Sequence, residues 1–312
     1  MVSREYRNTK IIILLFVLVT LLFLGLNYRQ LYSILAIRSE TKRLTSLAEN
    51  APQEFQNPEP IKDNFDEKLP LQFWEFIILN GSGKSSNESP FHSVAMTFDH
   101  GLTIYHYPDP VFKYESSDIS HKPSAGQYNN ASLIGGRGFF PTPSSDVVLK
   151  FTTQVDEKFY GTAGVIFQPV GILQKDGLFV NPFDMFGFAV AGQESSINGV
   201  NGPLCYLALS WIPVKVDALN VDIHTRHTYE VRLRWISKTE WLGIVKVDND
   251  TICQMPMPVF GPVDVHVWSD NVLAVYKPRR WWEIAPTTDL KFQDGGDKQF
   301  HLEMIQIFAE TR

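Results

Sequence analysis

HTYEVRLRWISKTEWLGIVKVDND, residues 227–250, carries the clearest alternation in the chain. Val231, Leu233 and Trp235 alternate with Arg232 and Arg234. A period of two sends successive side chains to opposite faces of a strand, so this stretch reads as half-buried β-structure. The segment EWLGIVKVD at 240–248 reads as its partner, and Asn249-Asp250 reads as the turn before Thr251. The run from Tyr229 to Cys253 is therefore expected to be a hairpin.

Working outward, short β-branched and aromatic segments recur at 71–79, 92–98, 101–107, 146–155, 160–168, 185–191, 204–211, 263–270 and 299–308. Clusters of Gly, Pro, Asn and Asp separate them, and no fixed repeat relates them. No window beyond residue 50 has the spacing of a long amphipathic helix. That pattern predicts an all-β fold, a two-sheet antiparallel jelly-roll sandwich over residues 71–312.

The quoted stretch resembles the paired strands of the concanavalin A-like lectin/glucanase superfamily, the jelly rolls that include laminin-G modules, legume lectins and family 16 glycoside hydrolases. Asp248-Asn249-Asp250 stands where those proteins have a turn like Val-Asp-Gly. FYGTAGVIF (159–167), DVHVWSDN (264–271) and HLEMIQIF (301–308) match the same pattern. The resemblance implies a jelly roll and a carbohydrate-related role. It does not extend to the Glu-x-Asp-x(-x)-Glu strand of family 16 hydrolases, which this chain lacks.

Ahead of the sandwich the composition changes. After a ten-residue tail, residues 1–10, comes IIILLFVLVTLLFLGL (11–26), uncharged throughout. At about 1.5 Å per residue this run spans roughly 24 Å, against a hydrocarbon core of about 30 Å. A transmembrane anchor over 11–27 is expected, with Tyr28 at the headgroups. The alternative is a cleaved signal peptide. Leu31, Ile34, Leu35, Leu44 and Leu47 predict a juxtamembrane helix over 28–50. Residues 51–70 hold four prolines and five acids against two lysines, which predicts an extended linker.

Of the 28 basic and 34 acidic residues, seven and three lie in the first fifty, which leaves the rest of the chain with 21 against 31. A surface that acidic excludes nucleic acid as a partner. The expected arrangement is a cell-membrane, single-pass protein with an extracytoplasmic domain, lipid being met by residues 11–27. Two cysteines, Cys205 and Cys253, are too few for a Cys-rich zinc site; they are either buried thiols or one disulfide. No metal or other cofactor is expected: His224 and His227 lie close together but lack further ligands.

Retaining glycosidases need two carboxyl groups about 5–5.5 Å apart. With no alternating acids in any strand, the catalytic candidates reduce to isolated acids in or beside apolar segments: Glu75, Glu194 and Glu283, with Asp184 of the same kind. Seven tryptophans offer flat faces for sugar stacking. Trp235 and Trp268 lie inside alternating strands and read as core. Trp281-Trp282 beside Arg279-Arg280 read as an exposed ligand-binding rim, since adjacent residues cannot share one strand face. The expected function is non-catalytic binding of a carbohydrate or surface polymer. The alternatives are a divergent glycoside hydrolase and a protein-interaction or adhesion domain. Four Asn-x-Ser/Thr triplets, at Asn80, Asn87, Asn130 and Asn249, match the glycosylation sequon.

Overall fold

The structure is a computed structural model that describes residues 42–49, 51–66, 74–79, 94–98, 100–106, 130–157, 159, 161–170, 184–192, 197, 199–209, 212–270, 275–276, 284–285 and 298–312. The chain divides into two compact units, Met1–Ser46 and Leu47–Arg312. Residues 42–49 are helical. Among the described residues no helix is long and apolar enough to cross a membrane. The expected anchor at 11–27 lies outside them.

In chain order the strands are β1 (Ile61–Asp63), β2 (Trp74–Leu79), β3 (Val94–Phe98), β4 (Leu102–His106), β5 (Asn130–Gly135), β6 (Ser145–Val155), β7 (Thr162–Pro169), β8 (Met185–Ala191) and β9 (Gly202–Leu209). They continue as β10 (Ile212–Ala218), β11 (His227–Ser237), β12 (Glu240–Val247), β13 (Asp250–Pro258), β14 (Val263–Asp270), β15 (Val275–Tyr276), β16 (Ile284–Ala285) and β17 (Lys298–Thr311). One eight-stranded antiparallel sheet runs β13-β12-β11-β6-β17-β4-β3, with β1 also paired to β17. A seven-stranded antiparallel sheet runs β10-β9-β8-β7-β14-β5-β2. The fold is a two-sheet antiparallel sandwich, as the alternation predicts.

The alternation in β11 is realised in the packing. Tyr229, Val231, Leu233 and Trp235 are buried, while Glu230, Arg232 and Arg234 stay partly exposed on the other face. The inward residues meet those of β7, β8 and β14 in one core that contains Val165, Phe167, Phe186, Phe188, Val265 and Val267. The two sheets meet where Gly243 of β12 admits the Phe186 ring: a Cβ placed there would lie 2.4 Å from the ring's Cζ. Any larger residue at 243 would push the sheets apart.

Two elements differ from the sequence expectation. The region from Tyr229 to Cys253 is a three-stranded meander, and the second turn is centred on Asp248-Asn249 rather than Asn249-Asp250. Val247 and Asp250 are already paired, and Asp248 and Asn249 take φ values of 48° and 77°. Two successive left-handed residues are what a type I′ turn requires, and Asp and Asn tolerate that region best after glycine.

Residues 51–66, read as linker, lie on the sandwich instead. Ile61 pairs with Ile307, Ile61 and Phe65 are buried, and the Asn57 amide exchanges hydrogen bonds with the Phe140 backbone at 3.0 and 2.7 Å. A few apolar side chains in an acidic, proline-rich segment thus suffice to dock it. The strands β5, β10 and β13 were not legible. Pro213, Pro256 and Pro258 disguised β10 and β13, which are edge strands, where a missing N–H is tolerated.

Cys205 of β9 and Cys253 of β13 form a disulfide with Cα atoms 6.5 Å apart, which links the two sheets through the core. Both cysteines face inward. Closing a loop across a sequence separation of 48 removes chain entropy worth about 4 kcal/mol in the unfolded state. Replacing Cys253 with Ser is therefore expected to lower the unfolding free energy by about 4 kcal/mol, read by urea unfolding followed through tryptophan fluorescence. A loss well under 1 kcal/mol would show that the unfolded chain is already compact between these positions.

Candidate functional site

Strand β14 places Val263, Val265 and Val267 in the core, fully buried. The alternation therefore sends Asp264, His266 and Trp268 to the outer face of the seven-stranded sheet. Register carries this face across the neighbouring strands. Glu75, Ile134, His266, Ile166, Gly187 and Tyr206 form one row, and Ser132, Trp268, Gly164, Ala189 and Leu204 the next. The outer face has its own apolar cluster, including Ile166, Met185, Ala189, Leu204 and Tyr206, with Trp268 packed against it.

Trp268 lies across the sheet over Gly164. A Cβ at residue 164 would meet the indole at 2.1 Å, so only glycine leaves room for the ring there. Its Nε1 donates to Thr162 Oγ1 at 3.1 Å, which fixes the ring in its plane. Trp268 thus belongs to the outer face and is partly exposed, not packed between the sheets as its position in an alternating strand suggested.

His266 packs beside that indole, ring centroids 5.9 Å apart. Its Nδ1 and Nε2 are shut off from solvent and have no hydrogen-bond partner among the described residues. Leaving buried polar atoms unpaired costs about 1–3 kcal/mol, so such a group is a candidate for holding a ligand hydroxyl. Burial pushes the imidazole down to about 4, and the ring is neutral at pH 7, with one donor and one acceptor nitrogen.

The third polar residue, Asp264, has a structural task. Its carboxylate accepts from the backbone N–H groups of Arg137 and Val265, each at 2.7 Å, and is fully buried. Burial raises its pKa, and the backbone hydrogen bonds from Val265, Arg137 and Gly138 oppose that. It holds the turn after β5 against β14.

The sequence candidates fall as follows. Glu75 is on the outer face and exposed, in the same row as His266 but two strands away, about 10 Å by strand spacing. Asp184 is fully buried. Glu194, Glu283, Arg279, Arg280, Trp281 and Trp282 lie outside the described residues. Trp74 and Trp235 are core, and the Trp74 Nε1 donates to Asp63 at 2.7 Å. His227 Nδ1 bonds Asp248 at 2.6 Å, and its hydrogen bond holds the Asp248 carboxyl below the usual range. His224 Nδ1 lies 3.0 Å from the Val155 carbonyl. No group of three or more metal-ligating side chains occurs among the described residues.

On the opposite sheet, Asp146 of β6 is buried among three guanidinium groups: Arg232 at 3.0 Å, Arg234 at 2.9 Å and Arg312 at 2.7 Å. Burial would raise its pKa, but hydrogen bonds from Arg234, Arg232 and Arg312 outweigh that and hold the carboxyl below its usual range. Glu230 takes Lys246 and Arg232 at 3.1 and 2.9 Å, and Arg232 also pairs with Glu310. These charges satisfy one another and clasp β6, β11, β12 and the carboxyl-terminal strand. The described strands show no alternating carboxylates on one face.

No family model matches the chain, and no curated protein matches it in sequence. Solved structures do resemble it in fold. A β-glucanase from Bacillus licheniformis is 12% identical with a TM-score of 0.45, covering 82% of this chain and 100% of that one. The carbohydrate recognition domain of Emp47p is 14% identical, TM-score 0.42, covering 81% and 95%. A lectin from Bauhinia forficata, solved with GalNAc, is 10% identical, TM-score 0.41, covering 81% and 99%. The chemistry of this chain has to be read from its own residues.

Sequence reasoning missed His266 and read Trp268 as core. The available signal was the alternation in DVHVW (264–268), which puts three polar-capable side chains on one face. A histidine held near 4 when folded and near 6.5 when unfolded makes stability fall with acid: between those values only the unfolded chain takes up the proton. The stability present above pH 6.5 is expected to decline by about 3 kcal/mol as pH falls to 4. His266→Leu should remove that part of the slope in urea unfolding at pH 7, 5.5 and 4.5. Parallel slopes for the two proteins would contradict it.

Proposed function

We propose that this chain is a single-pass, membrane-anchored protein whose sandwich lies outside the cytoplasm and binds a glycan or surface polymer, without catalysis, on the outer face of the seven-stranded sheet. One observation carries the site: the partly exposed Trp268 indole lies against Gly164 next to His266, whose ring nitrogens have no partner among the described residues. A flat apolar ring stacks on the apolar face of a sugar, and a neutral imidazole both donates to and accepts from hydroxyls. Few convergent polar groups on an apolar floor are the usual make-up of a small-ligand site.

The disulfide supports an oxidising compartment, because such bonds persist outside the cytosol. The uncharged run 11–26 supports an anchor of the right order of length. Together they support the reading of an anchored, extracytoplasmic chain that meets membrane lipid through residues 11–27.

The test is binding of the full chain, in detergent micelles, to an array of hexose polymers and N-acetylhexosamine-terminated chains. Wild-type protein should bind at least one class, and Trp268→Ala should weaken that binding at least tenfold, about 1.4 kcal/mol, while the variant remains folded by far-ultraviolet circular dichroism. Binding that survives both Trp268→Ala and His266→Leu would remove the site. Release of reducing ends lost on Glu75→Gln would replace the reading with a glycoside hydrolase.

A further inference from the structure

Four sequons stand in the chain, and the fold separates them. Asn80 and Asn87 lie outside the described residues. Asn130 begins β5, whose backbone is paired on both sides, with Leu79 of β2 and Asp270 of β14, and Ser132 is buried. A bulky sugar chain there would compete with strand pairing.

Asn249 is different in every respect that matters for carrying one. It is the second residue of the two-residue turn between β12 and β13, with φ of 77°, and takes no part in the ladder, whose last pair is Val247 with Asp250. Asp248, Asn249, Asp250 and Thr251 are exposed in succession. Thr251 sits on β13, the edge strand of its sheet, so that the hydroxyl completing the sequon is on an open border. The Asp248 carboxylate meanwhile accepts from the Thr228 N–H at 3.0 Å and binds His227, which braces the turn from its other side. A substituent on Asn249 would project from the turn without disturbing those contacts.

From this placement we infer that Asn249 is a site of N-linked glycosylation. The inference rests on the extracytoplasmic reading above. The amide Nδ2 of Asn249 attacks the anomeric carbon of an oligosaccharide carried on a lipid diphosphate. The C–N bond forms as the bond from that carbon to the diphosphate oxygen breaks; the amide gives up one proton and the lipid diphosphate departs. The Thr251 hydroxyl is the part of the acceptor that the transferring enzyme reads.

The full chain, expressed in a eukaryotic secretory host, is treated with peptide N-glycosidase in heavy-oxygen water, and the Asn249 peptide is weighed. Thiol labelling of the same sample before and after reduction reports whether Cys205 and Cys253 are bonded. The expected result is a heavy-oxygen label at residue 249, absent in Thr251→Ala, retained in Thr251→Ser, and accompanied by bonded cysteines. Asn249→Gly keeps a residue suited to the left-handed turn while removing the acceptor, and should migrate faster on a gel by one glycan. Bonded cysteines with an unlabelled Asn249 would overturn this site and leave the extracytoplasmic reading standing. Free cysteines with an unlabelled Asn249 would overturn both.

Discussion

A one-residue slip between β6 and β11 would turn Val231, Leu233 and Trp235 toward solvent and drive Arg232 and Arg234 into a core of phenylalanines. The register that prevents this pairs Val231 with Leu149 and Leu233 with Val147, and the rest of the sandwich is hung on it. β11 carries β12 and β13 on one side, while β6 carries β17 on the other. The ion cluster around Asp146 enforces the same register from outside, because its three arginines reach one carboxylate only when β6, β11 and the carboxyl-terminal residue are aligned. Apolar burial inside and charge pairing outside therefore select one arrangement.

The two sheets solve different problems on their outer faces. The eight-stranded sheet meets water with paired charges, which cost little to keep hydrated. The seven-stranded sheet buries a second apolar cluster on its outer face, and β8 is buried along its whole length. A strand buried on both faces cannot use simple polar-out alternation, and β8 accordingly reads MFGFAVA, apolar at every position. Within that apolar floor His266 and Trp268 bring polar ring atoms, the indole N–H paired with Thr162 and the imidazole nitrogens without a partner among the described residues.

Cross-sheet contact depends on local detail as well as pattern. Phe186 enters the space above Gly243, and the Cys205–Cys253 bond joins β9 to the edge strand β13. The disulfide also makes the domain's stability depend on the redox state of its surroundings.

Alternation in 227–248, together with the nine short β-branched and aromatic segments around it, determined that the chain is an antiparallel sandwich, because strand propensity is a local property of each segment. The same rule placed Trp235 and the β11 valine and leucine in the core. It could not show that the outer face of the seven-stranded sheet carries an apolar cluster of its own, since that depends on which strands lie side by side and not on one strand; Trp268 was misread for this reason. Edge strands with proline, the docking of residues 51–66 through Ile61 and Phe65, and the pairing of two cysteines 48 residues apart are likewise long-range events. Only the tertiary structure set Gly164 of β7 beneath Trp268 of β14, beside His266, because two strands far apart in sequence had to be brought side by side in register.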